Sequence, residues 1–172
     1  MATVGEQAWA ITTLVEVADL LASEAARRLK AEVGVSLAEK EVLFRITLAG
    51  GSLRMAELAQ ALLFTASGAT RIVDRMVEAG LLERARLTSD RRATSVMITR
   101  AGRRRFAQTG PVMESVVREL FEPFVTDDEI TVLTRILEKI VVGNGRWADR
   151  ATSGDFEAAI RRIGQPSVRT HS

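Results

Sequence analysis

The sequence predicts a mainly α-helical fold carrying one small β-hairpin, and three features support that prediction. Between Phe64 and Arg105, the residues Ala69, Ile72, Val73 and Met76 recur at helical spacing. After Gly80 the pattern changes to two short β-prone runs, Leu81–Leu87 and Ala93–Ile98. Two four-residue signatures, Ser36-Leu37-Ala38-Glu39 and Thr126-Asp127-Asp128-Glu129, are capping boxes, in which a hydroxyl accepts from a first-turn amide while the glutamate reaches back to the cap amide. Both flanks of the chain also keep apolar residues three to five positions apart over long stretches, as helices with one buried face do.

In chain order, residues from about Gly5 to Val33 form a first long helix, with Trp9, Leu14, Val17, Leu21, Ala25 and Leu29 along one side, ended by Gly34. A second helix starts at the Ser36 cap and runs through Ile46 or Leu48, with Leu37, Val42, Leu43 and Ile46 inward. Ala49-Gly50-Gly51-Ser52 is its exit turn. Met55–Leu62 forms a third helix, with Leu58, Ala59 and Leu62 inward and Glu57 and Gln60 outward. The small Ala59 and Ala61 let a following helix cross it closely. That following helix spans Thr65 to Ala79, with Thr65 as N-cap and Gly80 as the left-handed C′ residue. Its outward face carries Ser67, Thr70, Arg71, Asp74 and Arg75.

The two β-prone runs are joined by a polar tip, Thr88-Ser89-Asp90-Arg91-Arg92. From Thr99 a long helix runs through Phe106, Val112, Met113, Val116, Val117, Leu120 and Phe121. Gly110-Pro111 should interrupt it with a kink, because proline removes one intrahelical bond. After the second capping box, Ile130, Leu133, Ile136, Leu137 and Ile140 give another helix an apolar seam up to Gly143. Asn144–Thr152 then reads as a linker, Ser153–Ile163 as a short helix with Phe156, Ile160 and Ile163 on one side, and Gly164–Ser172 as a tail.

Charge adds a functional indication. From Glu83 to Arg105 there are eight arginines (84, 86, 91, 92, 100, 103, 104 and 105) against Glu83 and Asp90. The stretch is therefore +6 in a chain that is +2 overall. Such asymmetry on a helix followed by a hairpin points to a polyanion, and the shape suits duplex DNA: helix in the major groove, hairpin tip along the backbone or in the minor groove.

The segments LAQALL and TASGATRIVDRMVEAGLLER, the SDRR tip and the closing ITRAGRR occur in one order over about half the chain. In combination they resemble the winged helix-turn-helix of the MarR family of bacterial transcriptional regulators. The resemblance implies that Ser67, Thr70 and Arg71 face the major groove and that Arg75 belongs to the same site. Asp74 would pair with Arg71 or Arg75 and set their direction. At the wing tip, Asp90 would orient an arginine entering the minor groove, Arg92 first, with Arg91 able to exchange roles with it. Arg84, Arg86 and Arg103–Arg105 are phosphate neighbours or a solvated basic face.

Two positions depart from the family pattern. Arg54 stands where a short capping hydroxyl is usual and opposes the helix dipole at a cost of ~0.3–1 kcal/mol, to be offset by a DNA phosphate or by solvent. Gly68 lies inside the recognition helix, either for close approach to DNA or as a tolerated first-turn glycine. The resemblance also implies a homodimer. The helices outside the winged region carry more apolar residues than a small domain can bury alone, although they could instead fold back on a monomer. Two-fold symmetry would match a palindromic operator with half-sites about one helical turn, ~34–36 Å, apart. Family effectors are small and aromatic or amphipathic. They lodge between the dimerisation helices and the winged domain, where Trp9, Arg45 and Phe106 are the candidate lining residues, each with an ordinary packing role as the alternative.

The domain division expected on this reading is 1–34 for an N-terminal dimerisation helix and 35–100 for the winged helix-turn-helix. Residues 101–143 are then C-terminal dimerisation helices, and 144–172 the linker, extra helix and tail. An enzyme is disfavoured: the single histidine is His171, cysteine and tyrosine are absent, and neither a Gly-rich phosphate loop nor a metal-ligand spacing is present. No cofactor is expected, and without cysteine a thiol redox switch is excluded. Neither a membrane-spanning run nor a signal peptide is recognisable, which gives a cytoplasmic expectation. The alternative function is a winged-helix module that binds protein without specific DNA binding.

Overall fold

The computed structural model describes residues 3–62, 66–87 and 90–143. Helix α1 (Val4–Arg28) begins at a reciprocal capping box between Thr3 and Glu6. It passes into a π-helical turn, Leu29–Val33, closed by Gly34 at φ 75°. Helix α2 (Leu37–Leu48) starts at the expected Ser36–Glu39 box. Strand β1 (Ser52–Arg54) and helix α3 (Met55–Leu62) follow, then helix α4 (Ala66–Glu78), strand β2 (Leu82–Leu87) and strand β3 (Asp90–Ile98). Helix α5 (Arg100–Leu120), a 3-10 turn (Glu122–Phe124) and helix α6 (Asp127–Gly143) complete the described chain. The expected Thr65 cap and the Ser153–Ile163 helix lie outside the described residues.

The three strands form one antiparallel sheet in the order β1-β3-β2. Leu53 lies opposite Val96, and Arg84 opposite Val96 from the other side. Two expectations need correction. Strand β3 starts at Asp90 rather than Ala93, with Leu87 paired to Asp90 and a register irregularity between Arg86 and Leu87. The Asp-Arg-Arg chemistry suggested a turn, but strand pairing runs through backbone groups that these residues have like any other. Helix α5 also continues through Pro111 instead of being interrupted. Pro111 and Ala107, whose carbonyl loses its intrahelical donor, are both exposed, so water can take the place of that bond.

One apolar core lies under the sheet and the helix pair. It joins Val42, Leu43 and Ile46 of α2 with Leu58 of α3, Val73 and Met76 of α4, Val96 and Ile98 of β3, and Phe106 of α5. A second, smaller cluster packs Leu29, Val33 and Val35 against Val112 of α5. Helix α5 thus belongs to both: its first half closes the winged core, and its second half holds the end of α1. Outside these clusters, apolar side chains stand in solvent. On α1 they include Trp9 (71% exposed) and Ile11; on α6, which contributes no buried residue, they include Val132, Ile136 and Ile140.

The junction of α1 with α5 is held by charge. Arg28 pairs with Glu24 at 2.6 Å on its own helix, and with Glu119 at 2.6 Å and Ser115 at 3.1 Å on α5. Hydrogen bonds from Arg27 and Arg28 hold the Glu24 carboxyl at about 2, against an ordinary 4.5, and Arg28 likewise lowers that of Glu119. Both carboxylates are depressed in the folded state, so their stabilisation is complete above the unfolded value and disappears as pH falls from 4.5 towards 2. Arg28→Gln should therefore flatten the fall of melting temperature over that acid range. Identical slopes for wild type and variant would mean that this junction contributes nothing to the pH dependence.

Candidate nucleic-acid interface

Burial sets the rotation of α4. Ala69, Val73 and Met76 are buried and Ile72 is half-buried, so Ser67, Thr70, Arg71, Asp74 and Arg75 come out on the exposed side, as the periodicity predicted. Gly80 leaves the helix at φ 68°, and the Leu81 amide donates back to the Met76 carbonyl at 2.9 Å. The Thr99 hydroxyl lies 2.7 Å from the Gly80 carbonyl oxygen and accepts from the Gly102 amide at 3.0 Å. One side chain thereby ties the exit of α4 to the start of α5. Gly102 is required for this approach, because a Cβ there would run into the Leu81 carbonyl and the Ile98 side chain.

The partner of Asp74 differs from the expectation. Its carboxylate pairs with Arg84 of β2 at 2.5 Å, not with Arg71 or Arg75. Successive helical positions point about 100° apart, and Asp74 lies on the side of α4 nearest the wing. Arg84 is consequently half-neutralised and tied to the recognition helix. Arg75 lies instead near Glu39 of α2, at 3.8 Å. In the Arg103–Arg105 run, Arg105 donates to the Val33 carbonyl and the Arg103 guanidinium lies over Gly51, so both do structural work at the back of the domain. Arg54 is compensated from within: its amide donates to the Glu57 carboxylate at 3.2 Å, and its guanidinium lies 3.9 Å from the same side chain.

The wing-tip candidates are placed by their backbone alone. Asp90, Arg91 and Arg92 open β3, the middle strand of the sheet, ahead of the Ser95–Met97 segment that pairs with β1, while their side chains and those of Arg86 and Leu87 lie outside the described residues. The effector candidates divide. Phe106 is buried with its ring 6.3 Å from that of Phe44, and the buried Arg45 guanidinium lies 5.5 Å from the other member of that pair, Phe44, while pairing with Glu41 at 2.8 Å. Lys40 also lies over Phe44, and burial pushes its ammonium below the ordinary lysine value. Trp9 stands apart, exposed on α1.

The geometry is that of a helix with one exposed polar face and a wing beside it, and the comparisons with known proteins agree with that fold. A model of the MarR family matches residues 33–93, from the end of the π-helical turn to the start of β3. Residues 33–93 are thus similar to the MarR family, and the chain has the fold of MarR-family winged-helix proteins. Over 90 residues it is 29% identical to an uncharacterized HTH-type transcriptional regulator, YsmB, of Bacillus subtilis (strain 168), an alignment covering 52% of this chain and 61% of that protein. The match thus spans less than two thirds of that relative's length.

Among solved structures, AbsC, a MarR family transcriptional regulator from Streptomyces coelicolor, superposes with a TM-score of 0.71 at 28% identity, over 81% of this chain and 94% of that one. Sco3205, a MarR family regulator from the same organism solved in complex with DNA, shares the fold at a TM-score of 0.73 and 24% identity, over 89% and 94% of the two chains. Among the described residues, no helix is long and apolar enough to cross a membrane.

Proposed function

We propose that this protein is a MarR-family, sequence-specific DNA-binding transcriptional regulator that works as a homodimer on a palindromic operator and represses by occupying it. The observation that carries the reading is the exposed row Ser67, Thr70, Arg71 and Arg75 on a helix whose opposite face is locked into the core. A wing containing Arg84, Arg86, Arg91 and Arg92 lies beside it, tied to that helix through Asp74. Hydroxyls and guanidinium groups of this kind hydrogen-bond base edges and phosphates. The exposed apolar positions on α1 and α6 support the dimer. A small aromatic or amphipathic effector would act by favouring one spacing of the two DNA-binding lobes. Trp9, Arg45 and Phe106 are the residues assigned to it, and only a ligand with different affinity for the two spacings can shift them.

The test is selection of bound duplexes from a random pool at two salt concentrations. A palindromic motif with binding that weakens as salt rises is the expected result, because phosphate contacts release counterions. Salt-insensitive binding with no enriched motif would favour a protein-interaction module instead. Within the selected operator, Arg71→Ala should reduce discrimination between correct and altered half-sites by ~1–3 kcal/mol. An equal loss on every sequence would make Arg71 a phosphate contact. Arg92→Ala should lower operator affinity while leaving the oligomeric state unchanged in sedimentation; undiminished affinity would place the groove arginine elsewhere.

A further inference from the structure

Glu39 is both the third residue of the α2 capping box and the neighbour of Arg75, and its two carboxylate oxygens have different tasks. Oε2 accepts from the Ser36 amide at 2.8 Å, while Oε1 faces the Arg75 guanidinium of the recognition helix at 3.8 Å. The Glu39 side chain is largely buried, at 19% exposure, whereas that of Arg75 is 60% exposed. The capping bond holds the carboxylate in place before Arg75 arrives, so little further ordering is needed to present a negative charge at that spot. Asp74, the preceding residue, is drawn the other way, towards Arg84 of the wing. The recognition helix therefore sits between two ion pairs, one to α2 and one to β2.

From this arrangement we infer that Glu39 is a positioning residue for DNA reading: it keeps Arg75 on the α2 side of the recognition helix and restrains it from reaching phosphates indiscriminately. The assignment rests on the operator-reading function proposed above. A free arginine at a groove edge finds a phosphate on any sequence, because the backbone charge is the same everywhere. An arginine held by a fixed carboxylate gives up part of that uniform attraction and keeps the contacts its restricted direction allows. Glu39 thus lowers binding to all DNA and raises the ratio of specific to non-specific binding.

Glutamine can serve at the third position of a capping box, so Glu39→Gln removes the charge facing Arg75 and retains the cap. Full-length wild type, E39Q, R75Q and the double variant would be titrated with the selected operator duplex and with a scrambled duplex of equal length, at several salt concentrations. E39Q should bind the scrambled duplex more tightly with a steeper salt dependence, and its ratio of specific to non-specific affinity should fall by ~3- to 10-fold, a modest change because the pair is partly exposed. In the R75Q background the same substitution should change the ratio by less than ~2-fold.

Ser36→Ala provides the complementary control: it weakens the cap and lowers the melting temperature but leaves the charge, so the ratio should hold. An E39Q ratio equal to that of wild type would overturn the assignment, as would an effect that persists without Arg75 or a loss of ratio in S36A matching that in E39Q. A wild-type ratio near one would instead sink the operator-reading function itself, and this assignment with it.

Discussion

Leu133→Asp is expected to leave the protein monomeric and to weaken operator binding by at least ~100-fold. Leu133 lies in the α6 seam with Val132, Ile136 and Ile140, and none of these residues is buried within one protomer. A two-fold partner covering the seam would bury the new carboxylate without a counter-ion, at a cost of several kcal/mol. Losing the second recognition helix then removes the intramolecular gain of engaging two half-sites together, typically worth 10²–10⁴ in affinity. Sedimentation reports the first effect and operator titration the second. The winged core should melt as before, because α6 supplies no side chain to either apolar cluster. A variant that still sediments as a dimer would move the interface to the exposed apolar side of α1.

Met76→Ala should cost about 2–5 kcal/mol of stability, read as a lower midpoint in urea denaturation. Met76 is 1% exposed and sits between Val73 on its own helix and the α2, α3 and β-sheet side chains of the main core. Truncation removes the thioether and leaves a cavity beneath the helix that presents Arg71 and Arg75. A loss of this size is a large fraction of the 5–15 kcal/mol typical of a folded domain. Since Met76 never reaches the exposed face, operator affinity should fall only as far as the unfolded fraction rises or α4 loosens. An unchanged midpoint would mean that the helix is held chiefly at its exit, by the Thr99–Gly80 contact, rather than by its buried face.

How much of this was legible beforehand depended on sequence distance. The Ser36 and Thr126 caps, the inward set of α2 and the exposed row on α4 each rest on residues within a few positions of one another. Period and cap chemistry specify such features directly. The ion pairs were misjudged or missed for the opposite reason. Asp74 was expected to find an arginine on its own helix, but the closing partner, Arg84, comes from a strand ten residues later. Arg105 and Arg103 looked like part of a basic surface, yet they serve the Val33 carbonyl and the space above Gly51. Gly102 left a weak signal, a glycine in the first turn of a long helix, whose cause is the backbone of a distant segment.

By itself, the sequence determined which segments are helices and strands, which face of each is apolar, and that a basic hairpin follows a helix bearing groove-compatible side chains. Those properties are local, being set by backbone propensity, capping and the periodicity of apolar side chains. Only the tertiary structure decided which arginines are paired within the fold, as Arg84 is with Asp74 and Arg105 with the Val33 carbonyl. It also decided that Glu39 lies beside Arg75 and that α1 and α6 leave apolar rows uncovered. A charge is paired or free according to what the rest of the chain brings within a few ångströms of it, and that distance is not written in the order of residues.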